Sequence, residues 1–450
     1  MLDTLLTLQN DYHRIKAHLA PFMSSTLLKS PPLNAPTVHH LPNGLTIVAE
    51  QMPVEAVNLS VWVNVGSAVE SDDINGMAHF LEHMVFKGTK RLESGEFERL
   101  IEERGAVTNA ATSQDYTHYY ITAAPKDFAE LAPLQLDVVV NPSIPDEAFE
   151  RERLVVLEEI RRSEDSPRRR TYQRAIETAF EQLPYRRQVL GPTSVIEQLT
   201  PQQMRDFHGK YYQPQSVTAA VVGNLPVYEL IAIVEEGMGH RVWGVGDEKD
   251  SSPASISQPE LPFSEIVRRE YVDSTLQQAR LVMVWRVPGM TQLQQTYALD
   301  VLSVILGHGR MSRLFQDLRE NRQLVTNIGV SNITNRLQGT FYISAQLPVE
   351  NLAEVEKAIA EHIRTIQTEL VSESEIARVR SQVANRFIFG NETPSDRANL
   401  YGYYQSRMGD LAPALNYPAH IHALDTRDLQ IAAQQYLSPD AYGVVWIKPA

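Results

Sequence analysis

An α+β fold of two homologous domains, each an antiparallel-rich sheet with helices packed on it, is what the sequence predicts, on three observations. The chain has 450 residues, about three to four times the usual domain size, so more than one domain and large buried cores are expected. Alternating strands at Leu45–Glu50, Asn58–Val65, Tyr116–Ala124 and Val217–Val222 interleave with helical periods at about 76–87, 95–104, 126–139, 146–163 and 171–182. Strands that pair through hairpins, with helices to one side, give a sandwich rather than a doubly wound parallel sheet. The third observation is a repeat. FERLIEERGAVTN (Phe97 to Asn109) lies over FQDLRENRQLVTN (Phe315 to Asn327), YITA at 120–123 over YISA at 342–345, and VWVNVG at 61–66 over VWRVPG at 284–289. The three blocks keep their order, and the first two differ in offset (218 and 222), which implies a four-residue insertion between them.

The expected boundaries follow from composition. Residues 1–36 form an N-terminal extension, a short amphipathic helix followed by a Ser- and Pro-rich leader. The first domain spans 37–246 and its homologue 264–450, with a charged, Ser- and Pro-rich linker at 247–263. With 43% apolar and 21% charged residues the chain is of ordinary soluble composition. Its 41 basic against 55 acidic residues give a net charge of −14, which disfavours nucleic acid or anionic lipid as partner and predicts a preference for basic ligands. Arg168, Arg169 and Arg170 therefore read as a solvated helix start or an intersubunit contact. There is no cysteine, so disulfides, thiol catalysis and cysteine-ligated metals are excluded. No run of eighteen apolar residues occurs, and Asp3 stands where an export signal needs positive charge. A cytoplasmic location is expected, with a processed organelle precursor left open.

Residues 76–86 read GMAHFLEHMVF, an apolar run whose only titratable members are His79, Glu82 and His83. On a helix, positions i, i+3 and i+4 share a face, so two imidazoles and a carboxylate point out of an otherwise buried element. That spacing lets two ring nitrogens reach one tetrahedral zinc, and composition alone gives about 0.05 chance matches to the pattern. The competing reading is a pair of core histidines satisfied by backbone carbonyls. A catalytic zinc needs a third protein ligand. In EAFERERLVVLEEIRRSEDS (147–166) the stripe 152, 155, 156, 159 reads Glu, Val, Val, Glu, two carboxylates two turns apart on an apolar face. Glu159 is expected as third ligand. Glu152 is expected to orient a ligating histidine or Glu159, the alternative being an ion pair with a neighbouring arginine. Glu158 falls on the polar stripe with Arg151 and Arg162 and reads as a surface charge.

HFLEHMVFKGT (79–89), followed by Glu159 within ERERLVVLEEI, resembles the pitrilysin-type inverzincin zinc peptidases, in particular the bacterial and mitochondrial processing-peptidase branch. The resemblance extends from about Thr37 over nearly the whole chain, through LPNGLTIV (41–48), NAATSQDYTHYY (109–120) and SRLFQDLRE (312–320). It implies a fold that is half of a clamshell peptidase, one zinc per chain on His79, His83 and Glu159, and Glu82 as general base toward a peptide carbonyl. It also implies that Asn109, Ala110 and Ala111 form an edge strand to which substrate adds as an extra strand, although Asn109 alone could serve a turn or strand end.

One position departs from the family pattern. In many active members of the family that this chain resembles, the second half carries an arginine followed seven residues on by a tyrosine, and those side chains help bind substrate and the developing oxyanion. Here Arg319 is present, but the later position is Thr326, whose hydroxyl is too short to replace a phenol. Arg319 is thus a substrate-binding candidate or only a helix surface charge. LGHGRMS (306–312) resembles the family's Gly-rich loop and reads as a substrate contact or a plain turn. A heterodimer with a paralogue that supplies the Arg–Tyr pair is expected, with a homodimer as alternative. Against the zinc metalloendopeptidase stands a non-catalytic scaffold or assembly subunit of the same fold.

Overall fold

The computed structural model describes residues 36–238 and 258–450. The expected N-terminal helix and leader, and the linker up to 257, lie outside the described residues. In the first half the strands are β1 (Thr37–His40), β2 (Thr46–Gln51), β3 (Val57–Val63), β4 (Val107–Thr112), β5 (Thr117–Ala123) and β6 (Val217–Gly223). The helices of two turns or more are α1 (Met77–Met84), α2 (Glu96–Glu103), α3 (Pro125–Val140), α4 (Asp146–Asp165), α5 (Pro167–Ala179), α6 (Pro201–Tyr211) and α7 (Val227–Met238). The second half holds β7 (Val267–Val272), β8 (Ala279–Pro288), β9 (Asn327–Ile333), β10 (Gln338–Leu347) and β11 (Gly443–Lys448). Its helices are α8 (Tyr297–Gly307), α9 (Leu352–Thr368), α10 (Glu373–Phe389), α11 (Pro394–Met408), α12 (Ala412–Ala423) and α13 (Thr426–Tyr436), with a π-helical segment at Phe315–Asn321.

Two mixed, mainly antiparallel sheets result, in the orders β1-β2-β6-β3-β5-β4 and β7-β11-β8-β10-β9. Without β1 the two orders coincide strand for strand, and each contains one parallel pair, β2 with β6 and β7 with β11. This shared topology is the duplication that the repeats implied. The ladders correct two of the alignments. Tyr120 pairs with Ser60 and Tyr342 with Val284, so Val284 answers Ser60 and the VWVNVG and VWRVPG blocks are slipped by one residue. A slip of one reverses the face of every side chain: Val61 enters the first core, whereas Val284 packs on the opposite face with Ile176 and Phe180. Likewise Tyr120 pairs with Asn109 but Tyr342 with Ser331. The inserted residues therefore lie before β9, and the two VTN triplets are not equivalent.

Helices cover both faces of each sheet, not one, because the halves exchange a helix. α11, from the second half, packs on β3 and β6, and α5, from the first, packs on β8 and β11. This explains why β3 (VNLSVWV) is buried at every position, as a strand covered on both faces must be. Ser60 donates to Asn399 of α11. Trp62 lies so close to Gly402 that a Cβ there would meet the indole at 2.0 Å, so the helix docks only with glycine at that position.

The exchange is pinned by matching arginines, each three residues after the proline that starts its helix. Arg170 of α5 binds Asp273 just beyond β7 at 2.6 Å, and Arg397 of α11 binds Glu50 on β2 at 2.7 Å. Glu50 is 2% exposed and also accepts from the Tyr401 hydroxyl at 2.8 Å. A third link, Asp115 at the β4–β5 turn, binds the buried Arg407 of α11 at 2.6 Å and accepts from the Tyr185 hydroxyl and the Arg336 amide. Arg397→Ala is expected to lower stability by about 3–5 kcal/mol, because it strands the Glu50 carboxylate in the protein interior. Urea denaturation monitored by Trp fluorescence reads the effect, and Glu50→Leu combined with Arg397→Met should recover most of it. An unshifted midpoint for Arg397→Ala would show that the pair does not hold α11.

Candidate metal centre

α1 starts at Gly76, whose φ is +100° and where a Cβ would meet the Leu190 carbonyl at 2.6 Å, so only glycine fits. The helix start is held by Glu70, a residue that the sequence reading overlooked. Its carboxylate accepts from the Gly76 amide at 2.8 Å, the Ala78 amide at 2.7 Å and Asn75 Nδ2 at 2.8 Å. Those bonds satisfy orphan amides of the first turn and place negative charge at the positive end of the helix. Burial nevertheless pushes the Glu70 carboxyl up to about 7.

Held in this way, α1 turns His79 and His83 toward α4. Glu159 Oε2 lies 3.5 Å from His79 Nε2 and 3.6 Å from His83 Nε2. All three atoms lie within 4.8 Å of one another. Good N–H···O bonds span about 2.7–3.2 Å. The edge of a tetrahedron with zinc bonds of 2.0–2.1 Å is roughly 3.3–3.4 Å. The two histidine–Glu159 separations fit a shared zinc ion better than they fit direct hydrogen bonds, and two imidazoles with one carboxylate are a donor set that zinc accepts while keeping a position open.

The surrounding groups fix these atoms. Glu152 Oε1 lies 3.0 Å from His83 Nδ1, which leaves Nε2 to face Glu159, and Glu152 Oε2 takes Lys87 Nζ at 2.8 Å. The partner of Glu152 is thus His83, and its cation is Lys87 rather than an arginine. Lys87 follows His83 by four residues but lies just past the end of α1, in the turn after Met84, so no helical periodicity pointed to it. Burial pulls both imidazoles down. For His79 burial prevails, bringing it to about 4. For His83 the Glu152 and Glu159 carboxylates outweigh burial and raise it to about 9. Glu158 is half-buried and is held by Arg161 and Arg162 rather than by the histidines.

Glu82 stands beside this cluster without belonging to it. Its Oε2 accepts from Thr112 Oγ1 at 2.6 Å, and burial raises its pKa. Thr112 ends β4, the outermost strand of the first sheet. Ala111 and Thr112 line the same cleft as His79, Glu82 and Glu159, whereas Asn109 and Ala110 lie further along the strand, with Asn109 exposed. The cleft, about 1690 Å³, is closed on its far side by Gly307, His308 and Gly309 and by residues of β9 and β10. Arg319 is not among the residues lining it: the guanidinium lies 4.6 Å over the Phe315 ring. Thr326 Oγ1 donates to Gln278 Oε1 at 2.8 Å, and it too lies outside the cleft lining.

The cleft also corrects the charge expectation. Six arginines (Arg168, Arg169, Arg170, Arg174, Arg187, Arg280) line it against four glutamates, so the net charge of −14 does not describe the surface a ligand would meet. Net charge sums the whole exterior, while a cleft senses only its own walls.

Two family models match the chain consecutively: "Insulinase (Peptidase family M16)" over residues 46–193 and "Peptidase M16 inactive domain" over 198–383. The chain belongs to the pitrilysin-type M16 family of zinc peptidases. Among M16 relatives, an uncharacterized zinc protease of Mycobacterium tuberculosis is 28% identical over 416 residues, 92% of this chain and 93% of that protein. The zinc protease PqqE of Helicobacter pylori is 28% identical over 420 residues, 91% and 92% of the two chains. A crystal structure of a protease from Helicobacter pylori superimposes with a TM-score of 0.85 at 25% identity, covering 93% of this M16 chain and all of the other. A peptidase M16 inactive domain from Pseudomonas fluorescens shares the fold with a TM-score of 0.81 at 19% identity. No helix among the described residues is long and apolar enough to cross a membrane.

Proposed function

We propose that this chain is a zinc metalloendopeptidase, with one zinc on His79, His83 and Glu159 and with Glu82 as general base. The reading is carried by one observation: donor atoms of His79, His83 and Glu159 lie within 4.8 Å of one another while a second acidic group, Glu82, faces the same cleft without joining them. Zinc, when bound, would polarise a peptide carbonyl and acidify water. Glu82 accepts the proton of the attacking water and returns it to the leaving amine. Thr112 fixes the Glu82 oxygen that it bonds and leaves the other free to act. Glu152, anchored by Lys87, sets the orientation and tautomer of His83. The exposed edge of β4 at Asn109, Ala110 and Ala111 pairs with an extended peptide through its backbone, which tolerates varied sequence.

The test is metal content by elemental analysis together with cleavage of a quenched peptide. Stoichiometric zinc, loss of cleavage on chelation and recovery with added zinc are expected. A metal-free chain that binds zinc no better than its His79→Ala variant would return it to the scaffold reading. Because Arg319 and Thr326 lie outside the cleft that holds His79, we further propose that Arg319 acts on the zinc of a partner subunit, with a paralogue supplying the missing phenol. Adding that paralogue, or making Thr326→Tyr in the chain alone, is expected to raise turnover by two to three orders of magnitude. High activity of the isolated chain that neither change increases would favour the homodimer.

A further inference from the structure

The three arginine side chains Arg168, Arg169 and Arg280 face the cleft without an acidic partner. Arg170, Arg174 and Arg187 are compensated by Asp273, Glu177 and Asp72, whereas the other three form no ion pair among the described residues. The Nε of Arg280 is buried and has no hydrogen-bond partner. A buried donor left unsatisfied costs about 1–3 kcal/mol, so its persistence at a cleft wall marks a position that a ligand acceptor would fill. These side chains also converge. Arg280 lies on β8 with its side chain on the face that carries Tyr342, and both Arg280 and Arg168 act electrostatically on the Tyr342 phenol. Arg169 is close enough to act on Glu159, which places the positive wall beside the candidate metal centre. Of the four lining glutamates, Glu159 belongs to the centre, Glu82 is held by Thr112 beside it and Glu177 is paired, which leaves only Glu164 to oppose three guanidinium groups without an ion pair.

We propose that Arg168, Arg169 and Arg280 form a carboxylate-binding wall that selects peptides with acidic residues flanking the bond to be cut. This rests on the peptidase reading above and reverses the preference that the net charge of the chain suggested. Guanidinium forks match carboxylates bidentately, and a cleft lined by charge of one sign concentrates ligands of opposite sign in a salt-dependent way.

The test uses the full chain and three labelled peptides that differ only in an Asp/Glu-rich, neutral or Lys/Arg-rich flank. Binding is measured by fluorescence anisotropy in Glu82→Gln and cleavage in the parent. The acidic peptide is expected to bind roughly tenfold tighter than the neutral one at low ionic strength, with the gap closing as salt is added. In Arg168→Glu with Arg280→Glu the ratio should invert toward the basic peptide. Arg151→Glu, on the exposed face of α4, changes the net charge without entering the cleft and should leave the ratio as it is. Equal binding of the three peptides, or a ratio that moves as far in Arg151→Glu as in the cleft variants, would overturn the wall. Displacement of the acidic peptide by an RNA oligonucleotide at lower concentrations than by unlabelled peptide would overturn the peptide assignment. Binding that follows the expected ratios without any cleavage would support the wall and count against the peptidase reading instead.

Discussion

Glu82→Gln is expected to lower peptide turnover by a factor of about 10² or more while leaving zinc content unchanged. The expectation follows from position. Glu82 shares a helical face with His79 and His83, yet its carboxylate is turned to Thr112 at 2.6 Å rather than to the point where the three donor atoms meet. Glutamine keeps the shape and can still accept the Thr112 hydroxyl through its carbonyl oxygen. It cannot take up a proton, so the step lost is proton transfer, for which positioned side chains typically supply 10²–10⁴-fold. The measurement is kcat on a quenched peptide beside zinc content by elemental analysis of the same preparation. Turnover near that of the parent would remove Glu82 from the mechanism. Loss of the metal would place Glu82 among the ligands.

Much of this centre was legible because its parts are close in sequence or on one helix. HFLEH puts His79, Glu82 and His83 within a turn and a half, and the face of α4 that buries Val156 also carries Glu152 and Glu159. Periodicity separated Glu159, which lies beside the histidines, from Glu158, which pairs with Arg161 and Arg162, although Val155, read as part of the same buried stripe, is 50% exposed. Glu70 was not legible, since an acid that caps a helix after an intervening irregular segment has no fixed spacing to search for. Thr112 meets Glu82 only through tertiary packing of β4 on α1. At the level of the fold, the repeated blocks revealed the duplication but misplaced two registers, because short matches such as VTN carry no information about which face a strand buries. The exchanged helices α5 and α11 share Pro-x-x-Arg starts, at Pro167 and Pro394, a signal present in the sequence but too short to stand out. Global charge misled about the cleft, whose arginines come from α5, β8 and the segment before α6 and gather only on folding.

Of the remaining carboxylates, Glu159→Gln is expected to abolish stoichiometric zinc binding, Glu152→Gln to weaken it by about 10–100-fold, and Glu158→Gln to change nothing. Glu159 contributes one of only three donor atoms, and a neutral amide oxygen is a poor substitute for a carboxylate facing two imidazole nitrogens at 3.5 and 3.6 Å. Glu152 acts at one remove: it holds His83 Nδ1 at 3.0 Å and is itself held by Lys87. Glutamine at 152 can keep one of these bonds but weakens the charge that makes the imidazole a better donor. The series is read by zinc competition with a chelating dye and by thermal unfolding with and without metal. At saturating zinc, a 100-fold loss of affinity removes about 2.7 kcal/mol of the stabilisation that the metal confers. The zinc-dependent rise in melting temperature should therefore shrink in Glu152→Gln and vanish in Glu159→Gln, while the metal-free melting of all three variants stays near that of the parent. If Glu158→Gln loses the metal and Glu159→Gln retains it, the assignment of the two faces of α4 is reversed. If all three retain it, the third ligand lies elsewhere and the convergence of His79, His83 and Glu159 is not a zinc site.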